Sequence, residues 1–163
     1  MIDKQFTYQQ MFRHACAFAE CADMALKKFR HDTADIEWYS TPSIINSAFA
    51  CEVYLKAMLL FSNIPIKKEH KIKELYKMIP DQIKDEIKSM VTRGCESIWY
   101  DSFGFEKLDN ISDAFVEWRY CYEKLERTRE IDIGFLTTFR DALREACCQL
   151  FFHVTWEEYK NQK

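Results

Sequence analysis

Hydrophobic residues recur along this chain at the spacing of helix faces. In the stretch 43–62 the apolar positions fall three, four and seven residues apart, which places them on one side of an α-helix. The same periodicity predicts five further helices, over 4–29, 69–78, 81–92, 110–126 and 135–159. We therefore expect an all-α chain, an up-and-down bundle of about five to six helices.

Turn-forming residues separate the predicted helices. The polar run from Ser40 to Pro42 predicts a loop, because Ser and Thr cap helices and Pro suits a first turn. Gly94 is expected to close the fourth helix, 95–108 to form an irregular loop, and Gly134 to precede the last helix. With 163 residues, 48% of them hydrophobic, the chain 1–163 is expected to form one domain.

Charged residues interrupt two of the hydrophobic stripes. Glu52 and Lys56 lie within the apolar face of 43–62, and Arg119 shares a helix face with three aromatic residues. Charged side chains are rarely buried unless they are paired, so the pattern predicts either an internal polar network or a site that opens into a cleft. Glu52 and Lys56 are spaced for an ion pair within one helix. Arg119 could cross to Glu52 or pair with Glu123, and Tyr120 beside it could stack on a base.

Overall charge limits the classes of partner. A net charge of −3 argues against strong, sequence-independent binding of duplex DNA, which normally uses a basic surface. One region is locally basic and is the candidate surface for RNA or an acidic partner, although a solvated helix face would explain it too. Its lysines are Lys67, Lys68, Lys71, Lys73 and Lys77. The stretch 96–117 is acidic, and the two patches could meet across a dimer.

The cysteines and the motifs that are missing indicate the cellular location and the kinds of bound group to expect. The seven cysteines show no C-x-x-C pair and no zinc spacing, so we expect reduced, buried thiols, a cytoplasmic location and no metal site. The stretch 44–64 is apolar, but two central charges would each cost about 2.5 to 3.5 kcal/mol in a bilayer, which predicts a core helix and no membrane partner. Phosphate-binding glycine loops are also missing, and no cofactor is expected.

Three segments resemble one known superfamily. They read Ser-Ala-Phe-Ala-Cys-Glu-Val-Tyr-Leu-Lys-Ala-Met-Leu-Leu (47–60), His-Lys-Ile-Lys-Glu-Leu (70–75) and Phe-Val-Glu-Trp-Arg-Tyr-Cys-Tyr-Glu (115–123). In sequence, order and spacing they are similar to the HEPN superfamily, the helical domains of higher eukaryotes and prokaryotes named for nucleotide binding. The resemblance implies a bundle of four or five helices and a homodimer with a cleft between its subunits. It also implies a role in toxin–antitoxin pairs, phage defence or RNA processing.

Catalytic members of that superfamily cut RNA with an Arg, four to six intervening residues and a His. Arg119 falls where their arginine would lie, but Glu123 and Lys124 follow, and no histidine comes before His153. The departure favours a non-catalytic module that binds RNA, a nucleotide or a protein partner, such as a nucleotidyltransferase-type antitoxin. Two alternatives stay open: a divergent ribonuclease that uses Arg119 with His70 or Glu123, and a purely structural interaction domain.

Overall fold

The computed structural model describes residues 6–31, 36–66, 68–96, 105–120 and 130–162. Within these ranges the chain forms eight helices and no strands, which confirms the predicted all-α bundle. The helices are α1 Tyr8–His31, α2 Ile36–Phe61, α3 Ile72–Met78, α4 Asp81–Glu96, α5 Phe105–Ser112, α6 Ala114–Arg119, α7 Ile133–Phe152 and α8 Trp156–Asn161.

Three long helices enclose the centre of the core. α1 and α2 run antiparallel, since the ring of Tyr8 at the start of α1 meets that of Phe61 at the end of α2. α7 packs against both, and Phe151 near its end contacts these same two rings. α4 packs on the outer side of α7, while α3 and α6 pack beside α2 and α5 packs beside α3.

Two helices continue through residues that were expected to end or precede them. Pro42 lies inside α2, so the loop predicted from Ser40 to Pro42 is wrong. Pro42 is the seventh residue of α2, where it removes one intrahelical hydrogen bond, and the buried Ser43 and Ile44 follow it. Gly94 lies within α4 and does not close it. A Cβ atom there would meet Thr138 Cγ2 at 2.7 Å, so this glycine allows α4 to approach α7 closely.

Three other predicted boundaries also differ. The helix expected over 110–126 is divided between α5, which ends at Ser112, and α6, which ends at Arg119, while 121–126 fall outside the described residues. The segment expected as a loop over 95–108 includes the start of α5, where Leu108 is buried, while 97–104 fall outside the described residues. The single helix expected over 135–159 is divided. His153 ends α7 in the left-handed conformation (φ 58°), and Thr155 then starts α8 with a capping box completed by Glu158. These local hydrogen bonds end one helix and begin the next.

One stretch of α2 has the length and composition of a membrane-crossing helix. It covers Tyr39–Phe61, and 61% of its most apolar window is buried inside the structure. The central helix of a helical bundle meets the same criteria, because it too is apolar on nearly all sides. Glu52 and Lys56 lie in the middle of this stretch.

Candidate functional site

A buried carboxylate in the middle of α2 organises the candidate site. The Glu52 side chain is 3% exposed, and its Oε1 atom accepts a hydrogen bond from Lys56 Nζ at 2.7 Å. The same oxygen lies 3.0 Å from His70 Nδ1. Because His70 comes from the segment that links α2 to α3, this contact ties the linker to the centre of α2. The expected ion pair between Glu52 and Lys56 is thus confirmed, and the structure adds His70 to it.

The three side chains differ sharply in exposure. Lys56 is 15% exposed, whereas His70 is 58% exposed and reaches solvent. The second carboxylate oxygen of Glu52, Oε2, is buried and has no hydrogen-bond partner within the described ranges. An oxygen without a partner in a buried setting costs free energy. Glu52 therefore carries a cost that its contacts with the lysine and the imidazole must offset.

His70 lies at the wall of a cleft of about 380 Å³ between the α2–α3 linker and α6. The cleft is lined by Lys68, Glu69, His70, Lys71, Asp113, Val116 and Glu117. Two lysines thus face three acidic residues, so the cleft lining is close to neutral, with a net charge of −1 when His70 is neutral. It is not a strongly basic groove of the kind that attracts duplex DNA.

Glu69 fixes the shape of the backbone that carries His70. Its carboxylate accepts hydrogen bonds from the backbone N–H groups of His70 and Lys71, each at 2.8 Å. The backbone N–H of Lys71, followed by that of His70, holds the pKa of Glu69 below its ordinary value. Both the backbone and the imidazole of His70 are therefore positioned by carboxylates.

Arg119 is exposed at the end of α6, so the expectation that it lies buried in a stripe is wrong. Its guanidinium lies over the ring of Phe115 at 5.0 Å and over that of Tyr120 at 4.7 Å. Phe115 stacks on Phe49 of α2 at 4.8 Å, which turns the aromatic side of α6 inward and leaves Arg119 outside. The predicted crossing to Glu52 is therefore not made.

The helix that carries Arg119 also forms part of the cleft wall. Val116, three residues earlier, lines the cleft and is 42% exposed, and Tyr120 at the C-terminal end of the helix is 39% exposed. The exposed surface formed by Val116, Arg119 and Tyr120 is called the α6 face below. Glu123, the other residue proposed to act with Arg119, lies outside the described residues.

Most of the predicted basic surface is occupied by ion pairs within the chain. Lys67 lies outside the described residues, and Lys68 forms no ion pair with the part of the chain that the structure describes. The other three lysines are paired, as Lys71–Asp113 at 3.6 Å, Lys73–Asp109 at 2.6 Å and Lys77–Glu74 at 2.8 Å. The basic stretch 67–77 and the acidic stretch 96–117 therefore meet within one chain, through Lys71 and Lys73, and this contact needs no dimer.

A second buried charge, Arg140 in α7, was not predicted from the sequence and is 1% exposed. Its guanidinium donates to Asp23 at 2.7 Å, to Asp141 at 2.8 Å and to the Ser47 hydroxyl at 3.1 Å. These contacts connect α1, α2 and α7. A signal was present in the sequence, because Arg140 lies one helical turn from both Leu136 and Leu143 on the inward stripe.

Burial and the neighbouring carboxylates act on the pKa of Arg140 in opposite directions. Burial acts to lower this pKa, but the carboxylates of Asp141 and Asp23 act in the opposite direction, and the net shift is upward. All the paired carboxylates belong to the protein itself, and the guanidinium is enclosed. Arg140 is therefore a structural residue that joins three helices, with no open surface to offer a ligand.

Four of the five cysteines whose side chains are described agree with the expectation of buried, reduced thiols. Cys16, Cys51, Cys147 and Cys148 are buried and form no disulfide, whereas Cys21 forms no disulfide but is exposed. Burial raises the pKa of Cys148 to about 12. Within the described ranges no group of three or more His, Cys, Asp and Glu residues could hold a metal ion.

No protein family, curated protein or solved structure matches this chain. The resemblance to the HEPN superfamily is therefore carried by the residue patterns of 47–60, 70–75 and 115–123.

Proposed function

We propose that this chain is a non-catalytic HEPN-like module that binds single-stranded RNA in the cleft beside His70. We further propose that it works as a homodimer in a toxin–antitoxin or phage-defence system. The observation that carries the proposal is the exposed imidazole of His70, held at the cleft by the buried carboxylate of Glu52. A buried carboxylate with an oxygen left unpaired costs stability, so its presence is better explained by a group that it positions than by packing alone.

The surroundings of His70 favour single-stranded RNA over a duplex. The near-neutral cleft can contact few phosphates, so affinity has to come mainly from stacking and specific hydrogen bonds. The α6 face supplies an exposed Arg119 and Tyr120, and single-stranded RNA is commonly recognised by bases that stack on such side chains. Lys68, which lines the cleft without an ion pair in the described part of the chain, is the candidate phosphate contact.

Fluorescence anisotropy with labelled oligouridine RNA tests this proposal. We expect Tyr120→Ala to weaken binding about tenfold, because stacking of one base contributes about 1–3 kcal/mol. Lys68→Gln should also weaken binding and should reduce its salt dependence. Lys77→Gln is the matched control, since Lys77 already pairs with Glu74. The proposal would be contradicted if the wild-type protein binds no RNA, or if neither Tyr120→Ala nor Lys68→Gln changes the affinity.

The non-catalytic part of the proposal rests on the missing histidine after Arg119. We expect the purified protein to leave a mixed RNA pool intact. Light scattering of the same preparation should give twice the mass of the 19.6 kDa chain if the homodimer forms. A monomer at working concentrations would remove the dimer from the proposal without affecting the RNA site.

A divergent ribonuclease is the second candidate function, and one observation favours it. A histidine oriented by a carboxylate is a common arrangement for a general acid or base, and His70 has that arrangement with Glu52. This candidate predicts cleavage that is lost in both His70→Ala and Arg119→Ala while the helical circular dichroism spectrum is kept. Cleavage with that dependence would replace the non-catalytic proposal.

A scaffold that binds a protein partner or a nucleotide is the remaining candidate. The ion pairs that occupy Lys71, Lys73 and Lys77 favour it, because they reduce the charge available to RNA. It predicts neither RNA cleavage nor RNA binding. A gene for a nucleotidyltransferase-type antitoxin beside this one, and co-purification of the two products, would support the protein-partner form.

A further inference from the structure

The contact between Glu52 and His70 determines which ring nitrogen carries hydrogen. An ionised carboxylate only accepts hydrogen bonds, so the His70 Nδ1 atom, 3.0 Å from Glu52 Oε1, must be the donor. In a neutral imidazole one nitrogen is a donor and the other an acceptor. Lys56 donates to the same carboxylate oxygen. In its neutral form, the ring of His70 therefore has Nε2 as a hydrogen-bond acceptor.

That acceptor is available to a ligand. The His70 side chain is 58% exposed and lines the cleft, and Nε2 forms no hydrogen bond with the part of the chain that the structure describes. The contact of Nδ1 with Glu52 orients the ring, and Glu69 holds the backbone that carries it, so Nε2 is the nitrogen turned away from Glu52. The cleft thus presents an acceptor at a defined place.

An acceptor selects among the groups of a nucleic acid. Phosphate oxygens only accept hydrogen bonds, and a neutral Nε2 cannot bind them. Base amino groups and the ring N–H groups of uracil and guanine are donors too, but they differ from base to base. The ribose 2′-hydroxyl is a donor present on every nucleotide of RNA and on none of DNA, and it is the group by which proteins distinguish the two.

We propose that Glu52 positions His70 so that Nε2 accepts a hydrogen bond from a ribose 2′-hydroxyl, which makes His70 the residue that selects RNA over DNA. This inference rests on the proposed RNA-binding function and names the chemical group recognised at that site. Glu52 is a positioning residue in it, since the carboxylate is buried and does not touch the ligand.

The test compares three labelled oligonucleotides of the same sequence: oligouridine RNA, its 2′-deoxy form and its 2′-fluoro form. The 2′-fluoro form keeps an RNA-like sugar but has no 2′-hydroxyl proton to donate. We expect wild-type protein to bind RNA about fivefold more tightly than either analogue, which is the effect of one net neutral hydrogen bond.

Two variants separate recognition from structural support. The side-chain amide of His70→Asn can replace Nδ1 toward Glu52 but does not reach the place of Nε2, so the linker stays tied while the outward acceptor is lost. We expect this variant to keep its thermal stability and to bind the three oligonucleotides equally. Lys77→Gln, on α3 and outside the cleft lining, should keep the fivefold preference.

The tautomer can be observed directly in the free protein by nitrogen NMR of the imidazole. We expect the Nδ1–H form of His70 in the wild type, with Glu52→Ala losing both this form and the preference for RNA. If the wild type binds RNA and 2′-fluoro RNA equally, or if the free protein shows the Nε2–H form, this inference is overturned while RNA binding stands. If no RNA binds at all, the proposed function falls and this inference falls with it.

Discussion

Replacing the two carboxylates that face Arg140 should destabilise the fold more than removing Arg140 itself. Asp23 and Asp141 have side chains that are 39% and 43% exposed, whereas the guanidinium side chain is only 2% exposed. In Arg140→Met the carboxylates can take up water and the new side chain fills most of the space. In the double variant Asp23→Asn with Asp141→Asn, a buried cation is left without a counter-charge.

The magnitudes follow from these exposures. Removing one side of a fully buried ion pair costs about 3–5 kcal/mol, and the retained amide oxygens, which still accept hydrogen bonds, reduce this to about 2–3 kcal/mol for the double Asn variant. Arg140→Met should cost about 1–2 kcal/mol, because only the hydrogen bonds are lost and both acids rehydrate. Combining all three substitutions should bring the loss back toward that of Arg140→Met alone.

Urea unfolding followed by far-ultraviolet circular dichroism measures these differences. The slope of free energy against urea concentration should stay constant across the variants, which keeps the comparison valid. The reasoning is refuted if Arg140→Met costs as much as the double variant or more. It is equally refuted if the effects of the three substitutions simply add.

Three further predictions concern other parts of the fold. Gly94→Ala should lower the melting temperature, because the new methyl group meets Thr138 Cγ2. Adding Thr138→Ser should restore the melting temperature. A Gly94→Ala variant as stable as wild type would contradict the close approach of α4 to α7. Iodoacetamide on the native protein should modify Cys21 rapidly and Cys51 only after unfolding, as mass spectrometry of the labelled peptides can show, because burial raises the pKa of Cys51. Acid should loosen α8, because hydrogen bonds from Thr155, its N-cap residue, hold the pKa of Glu158 below its ordinary 4.5. The stability that these bonds give α8 is present above pH 4.5 and is lost as the pH falls through the lower pKa of the folded state. Carboxyl NMR that finds an ordinary pKa for Glu158 would contradict this prediction.

Hydrophobic periodicity predicted the helices well, because burial of one face produces the periodic pattern and also stabilises the helix. The stripes of α1, α2 and α7 repeat at helical spacing, and their members form the core. Boundaries were less predictable, since they depend on local competition. Pro42 was expected to start α2 and instead lies inside it. The helix expected over 135–159 ends at His153, because His153 adopts the left-handed conformation and a capping box at Thr155 starts α8.

The candidate site was only partly predictable for a related reason. The spacing of Glu52 and Lys56 revealed their ion pair, because both lie on one helix. Nothing in the sequence connected Glu52 to His70, which is 18 residues away and reaches it through the path of the linker. Arg119 was expected to be buried because it shares a face with aromatic residues, but a six-residue helix at the periphery buries only part of that face.

The contacts of Arg140 also have a consequence for the speed of unfolding. Arg140 lies 117 positions from Asp23 and 93 positions from Ser47 along the chain, whereas α1 and α2 are neighbours in sequence. Contacts between distant positions tend to form late in folding, after local helix pairs. Loss of such contacts mainly accelerates unfolding and leaves the folding rate almost unchanged. Arg140 should therefore determine how long a folded molecule persists before it opens, and so how long it resists a protease that attacks only the open form.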